Sequence, residues 1–221
     1  KINKRNKISW LIRLQHIAAI LAIPLFMSTL YLILKEEPVE YVEVWTNPGM
    51  VALINLPDGT NVWLNSNSSL RHPIRFTGSK RNTELKGEAY FSVHPDRDKP
   101  FIVNTPFNIR AEVLGTEFNM EAYEAEREVK TTLVSGSVKL TFLTDKEDEK
   151  SYILKPDEEF IYNYQNKKLS VQKPYIPTLT AWKDGLVIFR NTPFEEALKV
   201  LSKRFNVEFI IKNDKLYENA F

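Results

Sequence analysis

The chain changes its hydrophobic period twice. Residues 17–34 carry no charge and are mostly apolar. At about 1.5 Å per residue they predict a helix of roughly 27 Å, close to the ~30 Å hydrocarbon core of a bilayer. From Val51 onward the period becomes that of strands. Runs at 51–56, 61–65, 83–86, 88–93, 101–104, 108–114, 117–123 and 128–133 are followed by others at 138–142, 152–154, 159–162 and 169–171. Turn chemistry separates them. Pro57-Asp58-Gly59-Thr60 presets φ with its proline and accepts positive φ at its glycine, and Ser135-Gly136 joins two later runs. Many short strands with no helical spacing between them predict an all-β sandwich, roll or solenoid.

The pattern changes again near Thr178. Trp182-Lys183-Asp184-Gly185 leads into a predicted strand at 186–190, and Thr192-Pro193-Phe194-Glu195 predicts a capped helix. Thr192 is placed as N-cap, Pro193 at the first helical position, and Glu195 as the reciprocal partner in a capping box. Phe194, Ala197, Leu198, Leu201 and Phe205 recur at helical spacing as one apolar face. A further strand is expected at 207–212. One helix and two strands bury two faces poorly, so residues 178–221 read as the first half of a small α+β domain, with a partner half beyond them.

The charge distribution orients the first helix. Lys1, Lys4, Arg5, Lys7 and Arg13 precede the apolar run without one acid, and Lys35, Glu36 and Glu37 follow it. The excess of positive charge predicts that the amino end faces the cytoplasm and that the body lies across the membrane. A cleaved leader fits less well: Leu34-Lys35-Glu36-Glu37 is a poor cleavage site. Trp10 and Tyr31 stand near the two expected interfaces, and Pro24 predicts a local kink. Six of the 30 Lys and Arg lie in the first 35 residues, so the remainder holds 24 against 28 Asp and Glu. No basic stripe asks for nucleic acid. The expected organisation is a cytoplasmic juxtamembrane segment at 1–16, a transmembrane helix at 17–34, a linker at 35–50, an all-β domain at 51–177 and the α+β module at 178–221. The first residue is Lys rather than Met, so the sequence reads as part of a longer chain.

Chemistry is sparse. The absence of cysteine removes disulfides and thiolate sites. His16, His72 and His94 are scattered with no metal-ligand spacing, and neither a metal nor a cofactor is expected. There is no nucleophile elbow, P-loop or dinucleotide fingerprint. The acid pairs Glu147/Glu149 and Glu195/Glu196 read as solvated charge in the 145–150 loop and at a helix start. Trp63, Tyr90, Phe91 and Phe118 suggest a sugar-stacking platform or, more plainly, core and cross-strand pairs. No enzyme is indicated.

Five strings carry a resemblance. They are Leu56-Pro57-Asp58-Gly59-Thr60-Asn61-Val62-Trp63-Leu64-Asn65, with Ser68-Ser69-Leu70 and His72-Pro73 after it; Gly87-Glu88-Ala89-Tyr90-Phe91-Ser92-Val93; Lys99-Pro100-Phe101-Ile102-Val103; Val113-Leu114-Gly115-Thr116-Glu117-Phe118-Asn119-Met120; and Leu133-Val134-Ser135-Gly136-Ser137-Val138. In this order they resemble the exported domain of FecR-type transmembrane anti-sigma factors. Trp182-Lys183-Asp184-Gly185 and the helix after it resemble the small secretin/TonB short-domain-like module of Bacteroidetes-type members. One departure is Pro156-Asp157-Glu158, where the family more often has Pro-Gly-Glu; Asp tolerates such turns.

The resemblance implies a regulator in the bacterial inner membrane with its body in the periplasm. It implies an ECF sigma factor as partner, held by a cytoplasmic segment outside these residues. It also implies a second partner, the signalling domain of a TonB-dependent outer-membrane receptor, for which Phe194, Leu198, Leu201 and Phe205 are the candidate docking residues; the plainer reading packs Leu198 and Leu201 on the module's own sheet. Some relatives cut themselves at a Gly-Thr pair, which places Gly115 and Thr116 as candidates; an ordinary turn or bulge is the plainer reading. The competing function is an anchored periplasmic module that binds glycan or cell wall.

Overall fold

The structure is a computed structural model and describes residues 4–35, 39–144, 146 and 148–221, with 4–14, 17, 33, 34, 214 and 217 described by their backbone. It divides into two compact units, Lys1–Val39 and Glu40–Phe221. The first is one helix, α1 (Lys4–Leu34), which runs through Pro24. Its described apolar side chains, among them Ile20, Leu25, Phe26 and Leu32, are all exposed, and they form no single stripe. The predicted run at 17–34 includes positions whose side chains lie outside the described residues. Among the described residues no helix is long and apolar enough to cross a membrane.

The second unit is mainly β. Its strands are β1 (Tyr41–Trp45), β2 (Ala52–Asn55), β3 (Asn61–Leu64), β4 (Ser69–Pro73), β5 (Arg81–Ser92), β6 (Phe101–Asn104), β7 (Arg110–Val113), β8 (Glu117–Ala122), β9 (Glu128–Ser135), β10 (Val138–Leu143), β11 (Glu149–Leu154), β12 (Glu159–Asn163) and β13 (Lys168–Gln172). They form one sheet that curls through β5 like a half-barrel. Residues Arg81–Glu84 of β5 pair in parallel with β6, and its later residues pair antiparallel with β3 and β8. The two runs predicted at 83–86 and 88–93 are therefore one strand, bent at Gly87. Gly87 has φ +88°, and a Cβ there would lie 2.3 Å from Ser68 Oγ, so glycine is required on both counts.

The curl brings both halves onto one core. Phe91 of β5 stacks on Phe118 of β8 at 4.9 Å and meets Phe101 of β6 edge-on at 6.1 Å. Phe142 of β10 packs against Phe160 and Tyr162 of β12. This is a closed-over sheet with a single core, not a solenoid; apart from the parallel β5–β6 pair the ladders are antiparallel. Trp63 pairs across strands with Tyr90 in register, at 5.7 Å between rings. The aromatics of the β region are thus core and cross-strand pairs, as the plainer reading had them.

Local chemistry explains the turns. Asp58 accepts from both the Thr60 amide and the Thr60 hydroxyl, Gly59 takes φ +85°, and the Leu56 amide donates to the Thr60 carbonyl. The same Asp58 carboxylate lies 2.6 Å from Arg81 Nη1, whose side chain is almost wholly buried. Asp157 adopts φ +64° and so takes the left-handed position that glycine fills more cheaply.

Two expectations are corrected. The lead-in at 35–50 contains β1, paired along its length with β4. The β-α-β module is not formed: among the described residues, 186–190 and 207–212 make no strand. A strand needs a neighbour to satisfy its amides, and neither run has one. The segment instead holds a short helix α2 (Ile176–Thr180), a 3-10 turn at Ala181–Asp184 and α3 (Phe194–Phe205). Pro193, not Thr192, is the N-cap of α3, and no side chain caps it. The Thr192 hydroxyl accepts from the Arg190 amide, and the Phe194 amide donates to the Asn219 carbonyl. Short pairing of Thr192–Phe194 with Asn219–Phe221 therefore replaces the capping box.

Candidate functional site

A cleft of about 1370 Å³ opens between the outer face of β5, β8, β9 and β12 and the segment that follows β13. Alternation along the strands builds its floor. Phe91, Phe118 and Met120 point into the core, so Glu88, Asn119 and Glu121 point outward on β5 and β8. Glu88 and Glu121 stand directly opposite each other in register. Two like charges so placed repel unless something neutralises them.

Lys203 of α3 does so. Its Nζ lies 2.6 Å from Glu121 Oε1, 3.3 Å from Glu126 Oε1 and 3.9 Å from Glu88 Oε2, and 3.5 Å from the centroid of the Tyr123 ring. Lys130 approaches Glu121 from the other side at 3.9 Å. Burial alone would lower the Lys203 ammonium, but Glu121 and Glu88 outweigh it and raise its affinity for the proton. Burial alone would likewise raise Glu121, yet Lys203 and Lys130 hold it below the usual carboxylate range. Glu88 goes the other way. Burial and then the Glu121 charge push it up to about 7, against opposing pulls from Lys203, Asn119 and Asn65. Glu126 is raised by burial and by Glu121.

A belt of buried polar groups holds Glu88. Asn65 Nδ2 donates to its Oε2 at 2.7 Å and Asn119 Nδ2 to its Oε1 at 2.9 Å. Its amide donates to Ser68 Oγ at 2.9 Å, and Tyr123 Oη donates to the Ser66 carbonyl at 2.8 Å. A second lysine ties the segment to the sheet higher up: Lys183 Nζ lies 5.6 Å from the Trp63 ring and 5.3 Å from the Tyr90 ring.

The residues expected to dock a partner are spread over α3. Leu198 and Leu201 are half-buried, and Phe205 is 58% exposed. Phe194 is half-buried with its ring 5.9 Å from that of Phe221. Gly115 and Thr116 lie together at the entry to β8, opposite the Ser135–Ser137 turn. Gly115 has φ +152°, and a Cβ there would meet Pro95 Cα at 2.8 Å. Thr116 is buried, and its hydroxyl donates to the Ser137 carbonyl at 3.0 Å. A side chain on Gly136 would press on both the Thr116 hydroxyl and the Gly115 carbonyl. Among the described residues no group of His, Asp and Glu is arranged to hold a metal.

The sequence reading missed the cage around Lys203. Its acids looked like ordinary outward-facing positions, and its cation comes from about 80 residues away. The available signal was the in-register acid pair, legible only once β5 and β8 are paired.

A family model described as FecR protein matches residues 42–139, and one described as FecR, C-terminal matches residues 186–221. Two crystal structures of a protein described as a "putative anti-sigma factor" from Parabacteroides distasonis ATCC 8503 are similar to this one. Each has TM-score 0.70 and 30% identity; one, at 2.50 Å, covers 82% of this chain and 83% of its own, and the other, at 1.65 Å, covers 81% and 82%. No curated protein sequence matches the chain. The chain belongs to the FecR family of anti-sigma factors.

Proposed function

We propose that this protein is a membrane-anchored anti-sigma regulator. In this reading residues 17–34 cross the inner membrane once, the amino end lies in the cytoplasm and the β-body lies in the periplasm. The signal comes from a TonB-dependent outer-membrane transducer and ends at an ECF sigma factor. The observation that carries the reading is the pair of FecR matches, in order, on one chain whose body follows an uncharged 17–34 run. The exposed apolar side chains around α1 support the anchor, since such a helix has no face to lay on a protein and is at home in lipid. The positive charges before the run support the orientation.

The segment after residue 177 receives the transducer in this account, through Leu198, Leu201, Phe205 and Phe194. A chain ending at Pro177 is expected to lose transducer binding; unchanged affinity would move the interface to the β-body. For the anchor, a reporter active only in the periplasm, fused after Phe221, is expected to give signal. Activity confined to a cytoplasm-dependent reporter would refute the topology.

Self-cleavage at Gly115-Thr116 is part of the proposal. The Thr116 hydroxyl would attack the Gly115 carbonyl carbon, the peptide nitrogen would take the proton as it leaves, and water would then hydrolyse the ester. The bare Gly136 leaves free the space beside the Thr116 hydroxyl and the Gly115 carbonyl. Mass spectrometry of purified protein is expected to give two fragments that meet at this pair and one chain in Thr116→Ala. A single intact wild-type chain after prolonged incubation would remove the step.

A further inference from the structure

Helix α3 rests on the β-body mainly through its last turn. Leu198 and Leu201 are only half-buried, and Val200 and Phe205 are exposed. Lys199, one turn before Lys203 and well exposed, pairs with Glu195 of the same helix. What reaches the sheet is Lys203, seated among Glu121, Glu126, Glu88 and the Tyr123 ring at the distances given above. The cage is built wholly from β5, β8 and the turn after β8, and it is filled wholly from α3. In the same turn, Gly49 of the β1–β2 loop lies close to the Arg204 carbonyl, 3.7 Å from where its Cβ would be. The chain entering α3, residues 186–192, is irregular, and α2 is one short turn.

We propose that α3 is an arm latched to the β-body by Lys203, and that it lifts from the acidic cage without unfolding the body. Two features make the contact a latch rather than a piece of core. The attachment is concentrated in one long side chain whose charge is satisfied by groups of the other part. The apolar face of the helix contributes little, because small Ala197 is its buried residue while Phe194, Leu198 and Leu201 stay partly wet and Phe205 is exposed. A cation in a partly solvated cage is also sensitive to competing charge and to salt. Lifting the arm leaves Glu88 and Glu121 opposite each other with Lys130 as the remaining cation, so the open state carries a repulsion that draws the arm back or admits the basic group of a partner. A partner that binds the underside of α3 must break this contact first. The proposal stands on this geometry and does not depend on which partner the segment meets.

Hydrogen exchange on the full chain, read peptide by peptide, tests it. Lys203→Met keeps most of the length of the side chain and removes its charge, and Glu121→Gln weakens the cage from the other side. Both are expected to raise exchange in residues 194–205 at least tenfold, with β8 and β9 as protected as in the wild type. Lys199→Met, at an exposed position one turn before Lys203 that pairs with Glu195 of its own helix, is expected to match the wild type. Unchanged α3 protection in Lys203→Met and Glu121→Gln would overturn the proposal. So would loss of protection in β8 and β9 together with α3, since the helix would then be part of the body's core.

Discussion

The β-body and the segment that follows it use the same kind of residue in opposite ways. Phe91, Phe101, Phe118 and Phe160 of the body are fully buried, whereas Phe205, Phe209 and Phe221 of the segment are 58, 40 and 59% exposed. Both regions carry β-rich runs bounded by turn residues. In the body every such run finds a neighbouring strand, and the inner ones also find a facing layer, while β1 and β13 stay exposed at the edges. In the segment the runs at 186–190 and 207–212 find neither, and only three residues on each side of α3 pair with one another. A strand pattern is thus a statement about what a run can join, and the join decides whether it forms. The body's stability is expected to come from packing, and the segment's attachment from a few charged and aromatic contacts.

The sharpest way to break this contrast is to remove one phenylalanine from each region. Phe91→Ala is expected to destabilise the body by about 3–5 kcal/mol, because it takes a fully buried ring from the centre of the core. Phe209→Ala in the segment is expected to cost less than about 0.5 kcal/mol. Urea unfolding followed by aromatic fluorescence distinguishes them, and equal losses would erase the distinction.

A somewhat smaller effect is expected at the buried ion pair. Asp58→Ala removes the partner of Arg81, whose side chain is 2% exposed, and also the side-chain acceptor that closes the 57–60 turn. The uncompensated guanidinium is expected to cost about 3 kcal/mol. Its Nε bond to the Lys99 carbonyl and its Nη1 bond to the His94 carbonyl remain. Double replacement of Asp58 and Arg81 by apolar residues is expected to recover part of the loss in the same unfolding assay.

The smallest effect tests the seam between the regions and depends on pH. Glu88 titrates at about 7 in the folded protein against its usual 4.5, because burial and Glu121 outweigh Lys203 and the two asparagines. Its contribution to stability is therefore complete below pH 4.5 and is lost as the pH rises through 7, where folding must bury a charge. Glu88→Gln is expected to remove that loss. The variant should gain on the order of 1 kcal/mol over the wild type at pH 8 and nothing at pH 4. Asn119 Oδ1, buried and without a hydrogen-bond partner among the described residues, can accept from the new amide once the Asn119 side chain flips. A wild-type advantage that grows with pH would reverse the sign and contradict the assignment.

Much of the body was legible in sequence, and the reasons are local. Period-two runs and the Pro57-Asp58-Gly59 and Ser135-Gly136 turns marked its strands, and the five ordered strings marked its family. β1 and β4 were not visible, because Tyr41–Trp45 is an exposed edge with a charge at its centre and Ser69–Pro73 buries a histidine where an apolar residue is expected. Asp58 could be read as a turn residue, but not as the partner of Arg81, a contact that exists only when the sheet curls. Within the segment the helix and its apolar spacing were legible; the flanking strands were overread, since propensity does not say whether a partner strand is at hand. The cage around Lys203 was not legible, because it joins three strands' worth of separation to one helix. Glu88 and Glu121 become informative only as a register pair.

The central claim is that this protein controls a sigma factor. Comparing transcripts of cells with and without it, by sequencing total RNA, tests that most directly. The account predicts a coordinated change confined to promoters that share one sigma-factor recognition sequence, abolished when the matching ECF sigma factor is also deleted. Transcripts unchanged by loss of the protein, with and without transducer signal, would contradict it.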